Sequence, residues 1–175
     1  MRLKDKTAII TGGGSGIGLA TARAFCKEGA KVILFGRRKE KLISAADELG
    51  DSVLIVQGDM THNDDLDQLI NKTLNNFKGI DILVNSAGLF NGAPLHEISD
   101  SQWDGMMDIN IRSIFQLTRR VLPIMMAQKS GSIVHISSIL GLIAVPQVAA
   151  YNVSKGALNQ FSRSIAVEYG SYGIR

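Results

Sequence analysis

Short apolar runs alternate with segments of helical periodicity, and this alternation constrains the fold more than any other feature of the chain. The apolar runs are rich in β-branched residues and occupy residues 6–11, 31–36, 52–58, 80–88 and 132–137. Between them, apolar residues recur at helical spacing, for example over 39–49 and 63–78. Strands that are apolar throughout and alternate with helices are typical of βαβ units. The pattern therefore predicts an α/β fold, a doubly wound, Rossmann-like parallel sheet with helices on both faces.

A single domain over residues 1–175 is expected, because the sequence contains no repeat, low-complexity tract or linker. A long helix should run from about Trp103 to Gln128, with a kink or local break at Pro123. An apolar loop over 139–148 should then lead into a further helix.

Charge and cysteine content exclude several classes of protein. The net charge is only +3 and the basic residues are scattered, so we expect no nucleic-acid partner. Cys26 is the only cysteine, and the start "MRLKDKTAII" lacks the apolar region of a signal peptide, which indicates a cytoplasmic protein. No run approaches the roughly 18 apolar residues of a membrane-spanning helix, so we expect no membrane association.

The stretch "TGGGSGIG", residues 11–18, lies between the first strand and the first helix. Glycines at such a turn let a pyrophosphate approach the free N–H groups and the positive dipole end of the helix. A P-loop would need lysine where Leu19 stands, a nucleophile elbow would need glycine at Ile17, and the strict G-x-G-x-x-G spacing is absent. The stretch fits either a dinucleotide site or simply a tight turn. The candidate cofactor-binding residues in it are Gly12, Ser15, Gly16, Ile17 and Gly18.

A basic pair follows the second strand, about 20 residues beyond the glycine loop, where an acidic residue would bind the ribose of NAD. Arg37 and Arg38 stand there instead, at the start of a helix whose dipole favours anions. A bound 2′-phosphate would relieve that conflict, so the sequence favours NADP, with NAD as the alternative. Alternatively, the two arginines simply form a solvated basic turn with no role in binding.

Tyr151 and Lys155 are four residues apart in a segment that should be helical, which places both side chains on one face. A free tyrosine is a usable proton donor but a poor base at neutral pH. A neighbouring lysine stabilises the phenolate, so that the pair could exchange a proton with a substrate near neutrality. Such pairs also arise by chance on exposed helices, and the spacing alone does not decide between the two.

Six motifs in order resemble the short-chain dehydrogenase/reductase family, and the match covers the whole chain. They are "TGGGSGIG", "GDM", "NSAG", "DINIRS", "GSIVHISS" and "YNVSK". Within the family, the chain resembles 3-oxoacyl-ACP reductases and glucose or ribitol dehydrogenases. The resemblance implies hydride transfer between a nicotinamide cofactor and a ketone or secondary alcohol. Reduction of 3-oxoacyl thioesters and oxidation of sugars or polyols both remain open.

The resemblance also assigns residues, position by position. For cofactor binding it implies Gly12, Gly16 and Gly18 of the loop, Asp59 with Met60 at the adenine ring, and Asn85, Ala87 and Gly88 after the fourth strand. Ser86 departs from the usual second asparagine. For catalysis it implies the tetrad Asn110, Ser138, Tyr151 and Lys155, with Ser138 preferred over Ser137 because of its distance from the tyrosine. Tyr151 and Lys155 would also bind the cofactor, with Lys155 holding the nicotinamide ribose. No metal site is expected, since His62, His96 and His135 lack ligand spacing.

Three further expectations depend on the resemblance or on the end of the chain. Faces of the long helix and of the tyrosine helix resemble those that pair subunits in the family, which implies a homodimer or homotetramer. The apolar stretch that includes Leu142 and Ile143 should either line a pocket for an apolar part of the substrate or merely pack the loop. The chain ends at "YGSYGIR", where family members continue with further strands and a substrate-covering segment. We therefore expect a C-terminally shortened chain with the fifth strand as an exposed edge, and a catalytically idle nucleotide-binding module is the alternative function.

Overall fold

Strands and helices alternate along the chain as the sequence pattern predicts. The computed structural model describes residues 1–175. Its strands are β1 (Thr7–Thr11), β2 (Lys31–Gly36), β3 (Val53–Gln57), β4 (Ile82–Asn85) and β5 (Ser132–His135). Its α-helices are α1 (Gly16–Lys27), α2 (Lys39–Leu49), α3 (Asn63–Phe77), α4 (Asp100–Met107), α5 (Ser113–Gln128) and α6 (Ala149–Tyr169).

All five strands form one parallel sheet in the order β3-β2-β1-β4-β5. The chain first moves outward from β1 to β3, then returns to place β4 on the other side of β1. This reversal opens a crevice at the carboxyl ends of β1 and β4, the position at which open α/β sheets bind ligands. The doubly wound, Rossmann-like fold is therefore confirmed.

Side chains of the central strands alternate between two buried clusters, which explains why these strands are apolar throughout. Ala8 and Ile10 of β1 pack with residues of α1 and α2 on one face. Ile9, between them, packs on the other face with residues of α3, α5 and α6. Each fully buried large aliphatic side chain stabilises the fold by about 1.5–3 kcal/mol. Because both faces are covered, the sheet holds its carboxyl ends rigidly at one edge of the molecule.

The long helix differs from the sequence prediction in where it starts and where it is interrupted. It begins at Asp100, because Ser99 and Gln102 form a capping box before it. The interruption is a π-helical segment, Asp108–Arg112, and α5 continues through Pro123. A break at Pro123 is therefore wrong, whereas the alternative, a kink there, stays a prediction. Pro123 and Arg119, whose carbonyl loses its helical partner, both lie on the exposed side of α5, where water can replace the missing bond.

The free edge of β5 is partly covered by the last residues of the chain. Ile174 forms a parallel bridge with Gly131, and the Ile133 N–H donates to the Arg175 carbonyl at 2.8 Å. Ile174 is buried, whereas Val134 of β5 remains exposed. The edge is thus less open than the sequence suggests. None of the helices combines the length and apolarity needed to cross a membrane.

Candidate active site

A cleft of about 380 Å³ opens at the carboxyl ends of β1, β2 and β4. Ten of the residues predicted to bind the cofactor line it: Gly12, Ser15, Gly16, Ile17, Arg37, Arg38, Asp59, Met60, Ala87 and Gly88. The structure thus brings together loops that are far apart in the sequence. The cleft is also lined by Ser86 and by three residues that no sequence motif indicated, Lys41, Leu89 and Ile109.

Two glycines of the loop are required by close backbone contacts. Gly12 has a φ of 66°, in the left-handed region, and a Cβ there would lie 3.1 Å from the Ala87 backbone. A Cβ at Gly18 would lie 2.5 Å from the Gly12 carbonyl oxygen. Gly18 therefore packs against the backbone of the loop and does not line the cleft. Both contacts are with backbone atoms, which cannot move aside.

The N-terminus of α1 faces the cleft without a side-chain cap. Ser15 occupies the N-cap position but makes no capping hydrogen bond, and the first turn contains no acidic residue. The first N–H groups of α1 and its positive dipole end are therefore free to bind an anion. Together with the glycine lining and the neighbouring arginines, this environment fits the phosphates of a dinucleotide.

Thr11 joins the glycine loop to the loop after β4, and sequence reasoning missed this role. Its hydroxyl oxygen accepts hydrogen bonds from the backbone N–H groups of Ser86 and Ala87, each at 3.0 Å. Thr11 is fully buried. The one signal for it in the sequence is a hydroxyl residue at the last position of an otherwise apolar strand.

The two arginines of the basic pair have different partners. The Arg37 guanidinium lies 3.7 Å from the Asp59 carboxylate, whereas Arg38 donates to the neutral Ser15 hydroxyl at 3.1 Å. Burial raises the pKa of Asp59, but hydrogen bonds from Thr61 and the charge of Arg37 outweigh it and hold that pKa below its usual value. Asp59 is therefore a carboxylate at neutral pH and neutralises part of the positive charge of Arg37.

Lys155 is held close to Tyr151 inside the structure. Only 5% of Lys155 is exposed. Its Nζ donates to the Ile136 carbonyl at 2.7 Å and lies 5.6 Å from the centroid of the Tyr151 ring. Burial lowers the pKa of Lys155. Chance pairing on an exposed helix therefore does not explain these two residues, because the lysine is buried and its Nζ is oriented by a carbonyl at the end of β5.

Asn110 lies in the π-helical segment, and both polar atoms of its side-chain amide are hydrogen-bonded. Its Oδ1 accepts from the Leu89 N–H at 2.8 Å, and its Nδ2 donates to the Leu89 carbonyl at 2.9 Å and to the Ser154 hydroxyl at 3.0 Å. The Ser154 hydroxyl in turn donates to the Tyr151 carbonyl at 2.8 Å. Ser154, which sequence reasoning missed, therefore links Asn110 to the helix that carries Tyr151 and Lys155.

The two serines after β5 are used differently. Ser137 donates to the Lys155 carbonyl at 3.4 Å. The Ser138 hydroxyl accepts from the Leu140 N–H at 3.1 Å, which leaves its own hydrogen available to another acceptor. This difference favours Ser138 as the hydroxyl that could contact a substrate.

Asn85 does not line the cleft, although it was predicted to bind the cofactor. It is buried at the end of β4, and its Nδ2 lies 3.1 Å from Nδ1 of His135, its register partner on β5. Burial and, after it, the positive charge of Lys155 lower the pKa of His135 to about 4. His135 is therefore neutral at pH 7 and accepts a hydrogen bond from Asn85.

Gly88 connects the cleft to the predicted catalytic residues. It lines the cleft, and a Cβ added to it would lie 3.3 Å from Asn110 Oδ1 and 3.9 Å from Lys155 Nζ. The glycine-lined cleft, the buried lysine and the π-helical asparagine thus meet at one point. No cluster of three or more His, Cys, Asp or Glu side chains converges as metal ligands would.

The chain belongs to the short-chain dehydrogenase family, whose family model matches residues 6–175. Members of this family are nicotinamide-dependent oxidoreductases, in keeping with the cleft described above. An uncharacterized oxidoreductase of Staphylococcus aureus strain USA300 is 37% identical over 174 residues, which cover 99% of this chain and 75% of that protein. An uncharacterized oxidoreductase of Staphylococcus saprophyticus is 35% identical, over 100% of this chain and 76% of that protein.

A solved structure gives the same result for the fold. The crystal structure of a short chain dehydrogenase from Bacillus anthracis matches with a TM-score of 0.95 and 32% sequence identity. The match covers 99% of this chain and 74% of the other.

Proposed function

We propose that this protein transfers a hydride between NADP and a ketone or secondary alcohol, with Tyr151 as the general acid and base. The bound nicotinamide cofactor would supply the hydride for carbonyl reduction and accept it in the reverse reaction. The glycine loop and α1 would hold the phosphates, while Asp59 with Met60 would contact the adenine and Ala87 with Gly88 would line the nicotinamide side.

The protein's own groups would handle the carbonyl oxygen and its proton. Negative charge develops on that oxygen during reduction, so it needs hydrogen-bond donors and a proton source. We assign the Ser138 hydroxyl as a donor and the Tyr151 hydroxyl as both donor and proton source. In alcohol oxidation the Tyr151 phenolate would take the proton instead.

Lys155 would stabilise the phenolate that remains after proton transfer, since its buried ammonium lies beside the ring. Lys155 would also contact the nicotinamide ribose. The Asn110 amide is engaged with Leu89 and Ser154, so we assign it to positioning. The family resemblance also implies a water, held by Asn110, that links Lys155 with solvent. Such a water would bind the Asn110 backbone carbonyl or the second lone pair of Oδ1.

The observation that carries this proposal is the position of Gly88, which lies in the cleft and against both Asn110 and Lys155. The test is Tyr151→Phe, with Tyr172→Phe as the control because Tyr172 lies at the exposed end of the chain. We expect Tyr151→Phe to lower carbonyl reduction by at least about a hundredfold and to preserve cofactor binding. Unchanged turnover would refute the role of Tyr151. Cofactor binding without turnover of any carbonyl by the wild-type protein would favour the idle nucleotide-binding module.

The preference for NADP is proposed from the cations at the rim of the cleft, Arg37, Arg38 and Lys41. Thermal shifts with NADPH and NADH should differ, because only NADPH carries a 2′-phosphate for these cations. Arg38→Ala should reduce the NADPH shift more than Arg37→Ala, since Arg37 is partly neutralised by Asp59. Arg163→Ala, on the exposed face of α6, is the control. Equal shifts with both cofactors would remove the NADP assignment.

We also propose a cytoplasmic homodimer or homotetramer, assembled through α5 and α6. The exposed apolar side chains of Phe115 on α5 and Val167 on α6 support this arrangement. Light scattering of Phe115→Ser and Val167→Ser variants tests it, because disruption of such an interface should yield monomers.

A further inference from the structure

An exposed aromatic ring lies beside the proposed proton donor. The Phe90 ring meets the Tyr151 ring edge-on, with the ring centroids 4.8 Å apart and an interplanar angle of 87°. This geometry is a favourable one for aromatic pairs and fixes the position of both rings. Nevertheless, 63% of Phe90 remains exposed. A carbonyl held at the Tyr151 hydroxyl would therefore have an aromatic surface next to it.

The loop after Ser138 adds further apolar surface and few hydrogen-bonding groups. Residues 139–148 contain no charged side chain, and Gln147 is the only polar one. Leu142, Ile143 and Val145 are exposed, whereas Val148 is buried. Packing of the loop therefore accounts for Val148 but not for the other three.

The backbone N–H groups of residues 140–143, in the first half of this loop, are also occupied. The Leu140 N–H donates to the Ser138 hydroxyl, and the Gly141 N–H donates to the Ser138 carbonyl. The next two N–H groups, at 142 and 143, both donate to the Ile139 carbonyl. A polyhydroxylated substrate would find little to satisfy its hydroxyl groups here, which makes its desolvation unfavourable.

Both loops are anchored, so their apolar side chains are held in place. Gly92, two residues after Phe90, packs so closely that a Cβ would lie 2.6 Å from the Gln147 carbonyl oxygen. A Cβ at Gly141 would lie 2.8 Å from the Lys155 carbonyl oxygen, and Asn159 donates to the Gly141 carbonyl at 3.2 Å. The loop is therefore fixed to α6, the helix that carries Tyr151.

We infer that the substrate carries an apolar aryl, cycloalkyl or alkyl group next to its carbonyl, and that Phe90 is a specificity-determining residue for it. This inference rests on the proposed function of Tyr151 and deepens it. It assigns apolar ketones and the matching secondary alcohols to the site, in preference to sugars and polyols.

Cyclohexanone and 2-keto-myo-inositol provide a matched test, because they share the six-membered carbon ring and differ in their hydroxyl groups. Turnover of each is measured with the full chain and with both NADPH and NADH. We expect kcat/KM for cyclohexanone to exceed that for the inositol ketone by at least about tenfold, the discrimination that an apolar pocket typically supplies. Phe90→Ser should abolish most of this ratio, whereas Phe90→Leu should retain it. Arg163→Ala, on the exposed face of α6, should leave the ratio unchanged.

The ratio of the two kcat/KM values distinguishes a specificity role of Phe90 from a structural one. A variant that merely disturbs Tyr151 would slow the reduction of both ketones equally. An equal loss for both ketones, or a wild-type preference for the inositol ketone, would overturn the inference while turnover itself would support the proposed function. If neither ketone reacts, saturation-transfer NMR with NADP present measures contacts of cyclohexanecarboxamide and of myo-inositol. If cyclohexanecarboxamide contacts the wild-type protein and Phe90→Ser removes these contacts, the result would support the apolar site independently of turnover. Equal contacts for both probes, or none, would overturn it.

Discussion

Acidification should destabilise this protein through His135, because the folded state holds that side chain neutral. Burial and the charge of Lys155 lower its pKa to about 4 in the folded protein, against about 6.5 in an unfolded chain. Between these two values the unfolded state binds the proton and the folded state does not. The stabilising effect of this neutral histidine is therefore fully present above about pH 6.5 and is lost as the pH falls toward 4.

The magnitude follows from the same two pKa values. At pH 5 the difference in proton binding lowers the free energy of unfolding by about 2 kcal/mol relative to pH 7.5. The measurement is urea unfolding, followed by circular dichroism, of the wild type and His135→Asn at both pH values. Asparagine stays neutral at both, so the wild type should lose about 2 kcal/mol more than the variant. Protonation of other groups changes the free energy of unfolding of both proteins equally, so its effect cancels in this comparison.

His96→Asn is the matched control, because the His96 side chain is 82% exposed and meets water in both states. This variant should follow the wild type at both pH values. The reasoning is refuted if His135→Asn and the wild type lose the same free energy between pH 7.5 and 5.

Three further variants test other contacts of the site. Gly18→Ala forces a Cβ against the Gly12 carbonyl, so it should lower stability by about 1–3 kcal/mol and abolish the thermal shift with NADPH; an unchanged shift would show that the loop can yield. Ser154→Ala removes the link between Asn110 and α6 and should lower the free energy of unfolding in urea by about 1 kcal/mol, whereas no change would mean that the link is not stabilising. Lys155→Met replaces a buried ammonium whose pKa burial lowers, so the melting temperature should rise while turnover is lost. A lower melting temperature would indicate that the bond to the Ile136 carbonyl outweighs desolvation.

The layers of the fold were predictable because each strand and helix is encoded locally. Runs of β-branched residues that end at glycine or polar residues predicted the strands and their order along the chain. The glycine loop, the basic pair and the Tyr151 helix also followed from contiguous residues. The sheet then brought them to the same edge, as parallel strands require.

Other features depend on contacts between distant residues, and no local pattern revealed them. Asn85 was expected at the cofactor, but its register partner on β5 is His135, and the two side chains bond to each other. Pro123 was expected to kink or break the long helix, yet α5 is not broken there, because the exposed position tolerates the lost bond. The contact of Phe90 with Tyr151 joins a loop and a helix that only the folded chain brings together.

The π-helical segment Asp108–Arg112 makes the site sensitive to the length of the chain rather than only to its composition. Met106 and Met125 lie on the same buried face and are 19 residue steps apart. Five regular α-helical turns span about 18 steps, so the π-helical segment accommodates one extra residue. Removing one residue from this segment would leave 18 residue steps between Met106 and Met125, which five regular α-helical turns span, so a continuous α-helix could form with both methionines still on the buried face. Asn110 lies inside the segment, so the direction of its side chain relative to Leu89 and Ser154 would change. A one-residue deletion that leaves every predicted catalytic side chain in the sequence would therefore still weaken the contacts of Asn110 with Leu89 and Ser154.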